Sequence, residues 1–221
     1  MLIRYDKRRW KILEEKRRKA IEVMERLRTY SPVVHGSVAR GDVREDSDID
    51  IAILHPVPPY AVELALGEFS HGYIIQATPS STPKVYLCLD PYEEVVVSFP
   101  LANLNPREVE FYAFGGQLDL KGLLEGKRVA GVNKELKLIE PTPEGHWEEP
   151  IIGKEGMVAK LLGVSQSTVE ERVKLLTRRR EKGRTGVFIK IRFEGSAQEA
   201  LYDALRSNKA LRDSLRERGI I

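Results

Sequence analysis

The sequence predicts an α/β chain of the α+β kind in two parts: a small mixed-sheet domain with flanking helices over residues 1–145, then a smaller, mainly helical domain over 146–221. Three observations carry this. Apolar residues recur at helical spacing before residue 30, short alternating or β-branched runs fill 33–99, and helical spacing returns after the Pro/Gly-rich break PTPEGHWEEP at 141–150.

Residues 4–29 read as one long amphipathic helix, with Trp10, Leu13, Ile21, Met24 and Leu27 on its apolar side and Lys or Arg over most of the rest. Pro32 ends it. Val33 and Val34 form a short strand, and 48–54 form a second in which carboxylates alternate with isoleucines. Pro56, Pro58 and Pro59 separate this strand from a helix at about 60–69. Strands follow at 73–77, 84–89 and 94–99, the last two joined by the turn Asp90-Pro91-Tyr92. A helix from Asn105-Pro106 to Phe114 leads into a polar, glycine-punctuated stretch that reaches Lys134. Beyond the break, two or three helices are interrupted by a strand at 187–193.

The net charge of the 221 residues is only +3, but its distribution is uneven: +6 over residues 1–30, −10 over 31–153 and +6 over 154–190. An acidic centre between basic segments suits a metal site attended by surfaces that attract a polyanion; the plain alternative is solvated helix faces. The chain has no uninterrupted apolar run of roughly 18 residues and a heavily charged first twenty, so a cytoplasmic protein is expected, without a membrane span or signal peptide. The lone Cys88 reads as a small buried hydrophobe and excludes an intramolecular disulfide. Abundant charge with few Met and Cys points to a thermophile.

The informative segment is Val33–Leu54, VVHGSVARGDVREDSDIDIAIL. In a strand, Asp48 and Asp50 project to one face while Ile49, Ile51 and Ile53 project to the other. Two carboxylates side by side call for a cation, and magnesium commonly combines one or two carboxylates with substrate phosphates. Gly36 and Ser37 directly follow a strand, where backbone N–H groups and one hydroxyl meet phosphate oxygens. Taken singly, an Asp-x-Asp strand is an exposed edge and Gly-Ser a common turn; the two together, ten residues apart, point to chemistry. His35 reads as a packed strand end.

Gly36, Ser37, Asp48 and Asp50, with Ala39-Arg40-Gly41 and Ser47 around them, resemble the signature of the DNA polymerase β superfamily of nucleotidyltransferases. That superfamily includes the CCA-adding enzymes, the aminoglycoside nucleotidyltransferases and the minimal nucleotidyltransferases. The resemblance implies that Ser37 contacts the terminal phosphates of a nucleoside triphosphate, ATP among them. It also implies that Asp48 and Asp50 hold two magnesium ions and that Arg40 lies near the triphosphate or supports the loop; a surface ion pair with Asp42 or Asp46 is the alternative for Arg40. Lys134, with Lys127, Arg128 and Asn133, supplies further base or triphosphate contacts, an ordinary surface turn being the rival.

In this superfamily a third carboxylate from a later strand completes the site and favours deprotonation of the attacking hydroxyl. Its place falls near Val96 of EVVVSF. Glu94, with the same facing, ranks first as its substitute and Asp90 second, with Glu93 also within reach from the turn.

In KEGMVAKLLGVSQSTVEERVKLLTRRREK, at 154–182, Ala159, Gly163 and Val169 sit at helix-turn-helix spacing, and Ser165 stands at the N-cap of the second helix. Gln166, Ser167 and Thr168 would then enter a groove of nucleic acid, and Arg178, Arg179, Arg180, Lys182 and Arg184 would meet phosphates. The same pair alternatively serves only for packing or a homodimer contact. The chain as a whole resembles archaeal nucleotidyltransferase-domain proteins with a C-terminal helix-turn-helix. The favoured expectation is transfer of a nucleoside monophosphate from an NTP to an acceptor hydroxyl, nucleic acid being the favoured acceptor. The alternatives are a catalytically degenerate, nucleotide-sensing DNA-binding regulator and a toxin–antitoxin component that modifies a partner protein.

Overall fold

The computed structural model describes residues 1–183 and 186–221. In chain order it contains β1 (Leu2–Arg4), α1 (Lys7–Arg26), a 3-10 turn at Arg28–Tyr30, β2 (Val33–His35), α2 (Ser37–Arg40), β3 (Ile49–Ala52), α3 (Pro59–Leu66), β4 (His71–Gln76), β5 (Lys84–Cys88) and β6 (Val95–Pro100). Next come α4 (Pro106–Gly115), β7 (Gln117–Asp119), α5 (Leu120–Leu124), β8 (Gly131–Val132), β9 (Lys137–Thr142) and β10 (Gly145–Pro150). The chain ends with α6 (Glu155–Leu162), α7 (Gln166–Lys182), β11 (Ile189–Phe193), α8 (Ala197–Ser207) and α9 (Lys209–Glu217). This is the mixed α/β class that the alternation of periods implies. The first helix starts later than its apolar spacing suggests, because Asp6 Oδ1 accepts the Arg9 N–H at 2.8 Å and caps it.

The chain divides into two compact units, each discontinuous in sequence: Met1–Ile21, Val34–Ser47 and Pro106–Thr185 form one, and Glu22–Val33, Asp48–Asn105 and Gly186–Ile221 the other. This differs from two consecutive domains meeting at residue 145. The expected boundary lies inside the β9–β10 hairpin, which pairs from Gly145↔Thr142 to Pro150↔Lys137. The prolines that suggested a linker are tolerated because β8 pairs with β9 only at Leu138 and Ile139, so Pro141 lies beyond that ladder and removes no bond from it.

In the first unit, β1, β10, β9 and β8 form an antiparallel sheet in that order. Its core joins Phe114 of α4, Val132, Leu138, Val158 and Ala159 of α6, and Val169 and Leu176 of α7. In the second unit the strand order is β11-β4-β5-β6-β3, antiparallel except for the β3–β6 pair. Ile49, Ile51, Ile74, Val85, Leu87, Val97 and Phe99 fill one face of this sheet and are fully closed to solvent. Their alternation with half-buried or polar residues is the period of two that marks a sheet covered on one side. Gln76, also fully buried, donates to the carbonyls of Pro79 (2.9 Å) and Ser81 (3.0 Å) and to Ser214 Oγ of α9 (3.0 Å), fixing the end of β4 against the last helix.

Gly145 faces the backbone of β1 so closely that a Cβ there would lie 1.9 Å from the Ile3 carbonyl oxygen. Gly145→Ala is therefore expected to destabilise the protein by about 2–3 kcal/mol through forced separation of β1 from β10. Gly115→Ala, where a Cβ meets nothing within 4 Å, should stay within about 0.5 kcal/mol of wild type. Chemical denaturation of both variants checks this.

Candidate active site

The register between β3 and β6 builds the site. Asp50 lies beside Val96 in a parallel ladder running from Ile49↔Val95 to Ala52↔Ser98, and the Ile49 N–H closes its end on the Glu94 carbonyl at 2.7 Å. Because Ile49 and Ile51 are fully buried on the other face, Asp48 and Asp50 point the opposite way. Both line one groove, of about 230 Å³, together with Tyr73, Ile75, Tyr86, Cys88, Glu93, Val96 and Lys190.

Val96 occupies the place beside Asp50 where the resemblance expects a carboxylate. The carboxylate that lines the groove from this region is Glu93. Glu94 is not among the described lining residues, and Asp90 is spent on the turn: its Oδ1 accepts from the N–H groups of Tyr92 (2.9 Å) and Glu94 (3.1 Å), and its Oδ2 from Val95 (2.9 Å). This turn holds Glu93 at φ 60°, a left-handed conformation that costs energy for a residue with a Cβ. Glu93 Oε1 accepts hydrogen bonds from His71 Nε2 (3.0 Å) and Tyr73 Oη (2.7 Å). The histidine bond, then the tyrosine bond, holds the Glu93 carboxyl below its ordinary value, whereas the bond to Glu93 raises the Tyr73 phenol. Strand alternation favours Glu94 over Glu93, because the facing of a residue in a turn cannot be read from a period of two.

Asp48, Asp50 and Glu93 line one groove and carry only oxygen donors, the donor type that a hard divalent ion such as magnesium takes, although among the described residues their donor atoms do not form a group within 4.8 Å of one another. Beside it, donor atoms of His71, Cys88 and Glu93 lie within 4.8 Å of one another. This softer set is satisfied internally: His71 bonds to Glu93, and burial, followed by the nearby Glu93 and Asp90 charges, pushes the Cys88 thiol up to about 11, so it keeps its proton near neutrality.

In the other unit Gly36 adopts φ 78°, ψ −142°, and its N–H bonds to the Gly116 carbonyl at 2.9 Å. A Cβ at Gly36 would meet nothing within 4 Å, so backbone conformation alone requires glycine there. Ser37 opens the single turn α2. His35 packs edge-on against Tyr112, ring centroids 5.0 Å apart. Arg40 is 5 % exposed and directs its guanidinium to Asp42 (3.0 Å twice) and the Gly115 carbonyl (2.5 Å), bracing the loop as one of its two expected roles has it. Arg17 is likewise buried and donates to the Val38 and Ala39 carbonyls at 3.2 and 3.1 Å, burial lowering it to about 10. The basic first helix thus spends part of its charge inside the fold. Arg128 donates to the Thr142 and Gly145 carbonyls and stacks over Trp10, centroid distance 5.0 Å. Lys134 is exposed, in a turn whose N–H groups at Glu135 and Lys137 are held by Asn133 Oδ1.

Residues 17–76 match the family model for the nucleotidyltransferase domain. The matched nucleotidyltransferase segment contains Gly36, Ser37, Asp48 and Asp50, and supports the polymerase β-like superfamily that the motif resembles; it ends before Glu93. No curated protein and no solved structure matches the chain.

Outside the nucleotidyltransferase segment, α6 closes at Gly163 (φ 66°), and Ser165 Oγ caps α7 by accepting the Thr168 N–H at 3.3 Å. Gln166, Ser167, Arg178, Arg179 and Arg180 are exposed. Thr168 is not: it is 3 % exposed and donates its hydroxyl to Glu110, which also accepts from Ser165 Oγ at 2.6 Å. The sequence pattern placed Thr168 on a readable surface, but the acidic partner on α4 turns it inward. Arg184 lies outside the described residues.

Because Cys88 lines the groove with its thiol held up to about 11, the rate of alkylation by iodoacetamide in the native protein should rise with pH around that value, well above a free cysteine. A midpoint near the ordinary thiol range would contradict the burial described here. Mass spectrometry over a pH series measures it.

Proposed function

We propose that the chain transfers a nucleoside monophosphate from an NTP to an acceptor hydroxyl, nucleic acid being the favoured acceptor, and releases pyrophosphate. The observation that carries this is the convergence of Asp48, Asp50 and Glu93 on one groove, within and beside a segment that matches the nucleotidyltransferase domain. Asp48 and Asp50 would hold two magnesium ions. Magnesium, when bound, neutralises phosphate charge and stabilises the attacking and leaving oxygens. The motif resemblance assigns contact with the terminal phosphates to Ser37, next to Gly36. The acceptor oxygen forms the new bond to the α-phosphorus, the α–β phosphoanhydride bond breaks, and the acceptor proton passes to Glu93, whose carboxylate is kept ionised by His71 and Tyr73. Glu93 takes the role first expected of Glu94. Lys134, exposed on its turn, is a candidate nucleotide contact, and Gln166, Ser167 and Arg178–Arg180 remain candidates for holding nucleic acid.

A second reading, a catalytically degenerate nucleotide-sensing and DNA-binding regulator, is favoured by one observation, the apolar Val96 beside Asp50. A single experiment separates the two. With labelled NTPs, magnesium and pools of RNA, DNA or protein, the enzyme should label one pool, and Asp48→Asn or Asp50→Asn should abolish labelling. Glu93→Gln should lower kcat by roughly 100-fold or more with little change in nucleotide Kd, whereas Glu94→Gln should stay near wild type. Nucleotide binding without transfer to any pool would favour the regulator. Equal losses in the Glu93 and Glu94 variants would remove Glu93 from its role.

A further inference from the structure

The sheet face that carries Asp50 continues past the carboxylates. Asp50 pairs with Val96 and Val96 with Cys88; on the neighbouring strands Tyr86 pairs with Tyr73, Lys84 with Ile75, Ile75 with Lys190, and Tyr73 with Arg192. Directly paired residues share a face of a pleated sheet, so two tyrosines and three basic side chains lie on the aspartate side. The opposite side is the closed apolar core. On the aspartate side Tyr73, Ile75 and Tyr86 are half-buried, and Lys190 and Arg192 are exposed.

The face is graded in charge. Carboxylates stand on β3 and in the turn before β6, aromatic rings together with Lys84 on β5 and β4, and two further cations on β11, where Lys190 Nζ lies 4.4 Å over the Tyr73 ring and Arg192 pairs with Glu194 at 3.1 Å. The tract from β3 to β11 spans four strand spacings, roughly 19 Å at about 4.8 Å each. Such a length suits a run of nucleotides better than a compact small molecule. Aromatic rings beside a basic edge are what unpaired bases on a phosphate backbone require, because stacking tolerates any base while the cations follow the chain. A duplex hides its base faces and cannot use the tyrosines.

Building on the transferase reading above, we propose that this sheet face binds the single-stranded end of a nucleic acid acceptor. Bases stack on Tyr86 and Tyr73, Lys190 and Arg192 meet phosphates, and the terminal hydroxyl is delivered to the carboxylate end of the groove. The tract uses β11, which lies far outside the matched segment.

The test is fluorescence anisotropy of the full chain with a short labelled oligonucleotide as single-stranded RNA, single-stranded DNA, or a duplex, without NTP. A single strand should bind at least about tenfold more tightly than the duplex, the RNA and DNA arms identifying the sugar. Tyr73→Ala and Tyr86→Ala should each weaken it about tenfold or more, and Tyr73→Phe, which keeps the ring but loses the bond to Glu93, should bind as wild type. Lys190→Ala should reduce the steepness of the salt dependence. Equal binding of duplex and single strand, or unchanged affinity in both folded alanine variants, would overturn the proposal. Strand binding without NTP-dependent transfer would overturn the transferase reading alone; transfer to a non-nucleic acceptor without strand binding would overturn the sheet-face proposal alone.

Discussion

The parallel pairing of β3 with β6 is the constraint on which the groove depends. A register shift of one residue would turn Asp48 and Asp50 into the apolar core and bring Ile49 and Ile51 to the surface. Both outcomes are costly, since an unpaired carboxylate is expensive to bury and each isoleucine contributes about 1.5–3 kcal/mol by leaving water. The hydrophobic face therefore fixes the position of the charged one. The same ladder sets Val96 beside Asp50, and the further carboxylate that lines the groove, Glu93, comes from the chain just before β6 rather than from the strand itself. Asp90 gathers three backbone N–H groups into the turn that carries Glu93.

Where structure follows a simple period, the sequence was legible. The Asp-Ile alternation correctly assigns the two aspartates to one side, and the spacing of Ala159, Gly163 and Val169 correctly gives a close helix pair. Most strands and helices fall where apolar periodicity and proline put them. A period describes one element against its own core, and it says little about partners far away in the chain.

That limit accounts for the differences. Glu93 is held at the groove by His71 and Tyr73, about twenty residues earlier, and by a φ that no propensity favours. Arg40 and Thr168 look like surface groups until Gly115 and Glu110 supply acceptors for them from α4. The β9–β10 hairpin resembles a linker because its prolines are visible in the sequence while the ladder positions that tolerate them are not. For the side chains a distant hydrogen-bond partner decides the outcome, and for the hairpin the end of a strand ladder does.

The division of the chain carries a consequence for how such a protein arises. Its path passes from one compact unit to the other after residues 21, 33, 47, 105 and 185. Neither unit is a continuous stretch of coding sequence, so neither can be copied, lost or fused elsewhere by a single genetic cut. The two therefore travel together through the gene, and during synthesis neither unit is complete before residue 185 has been added.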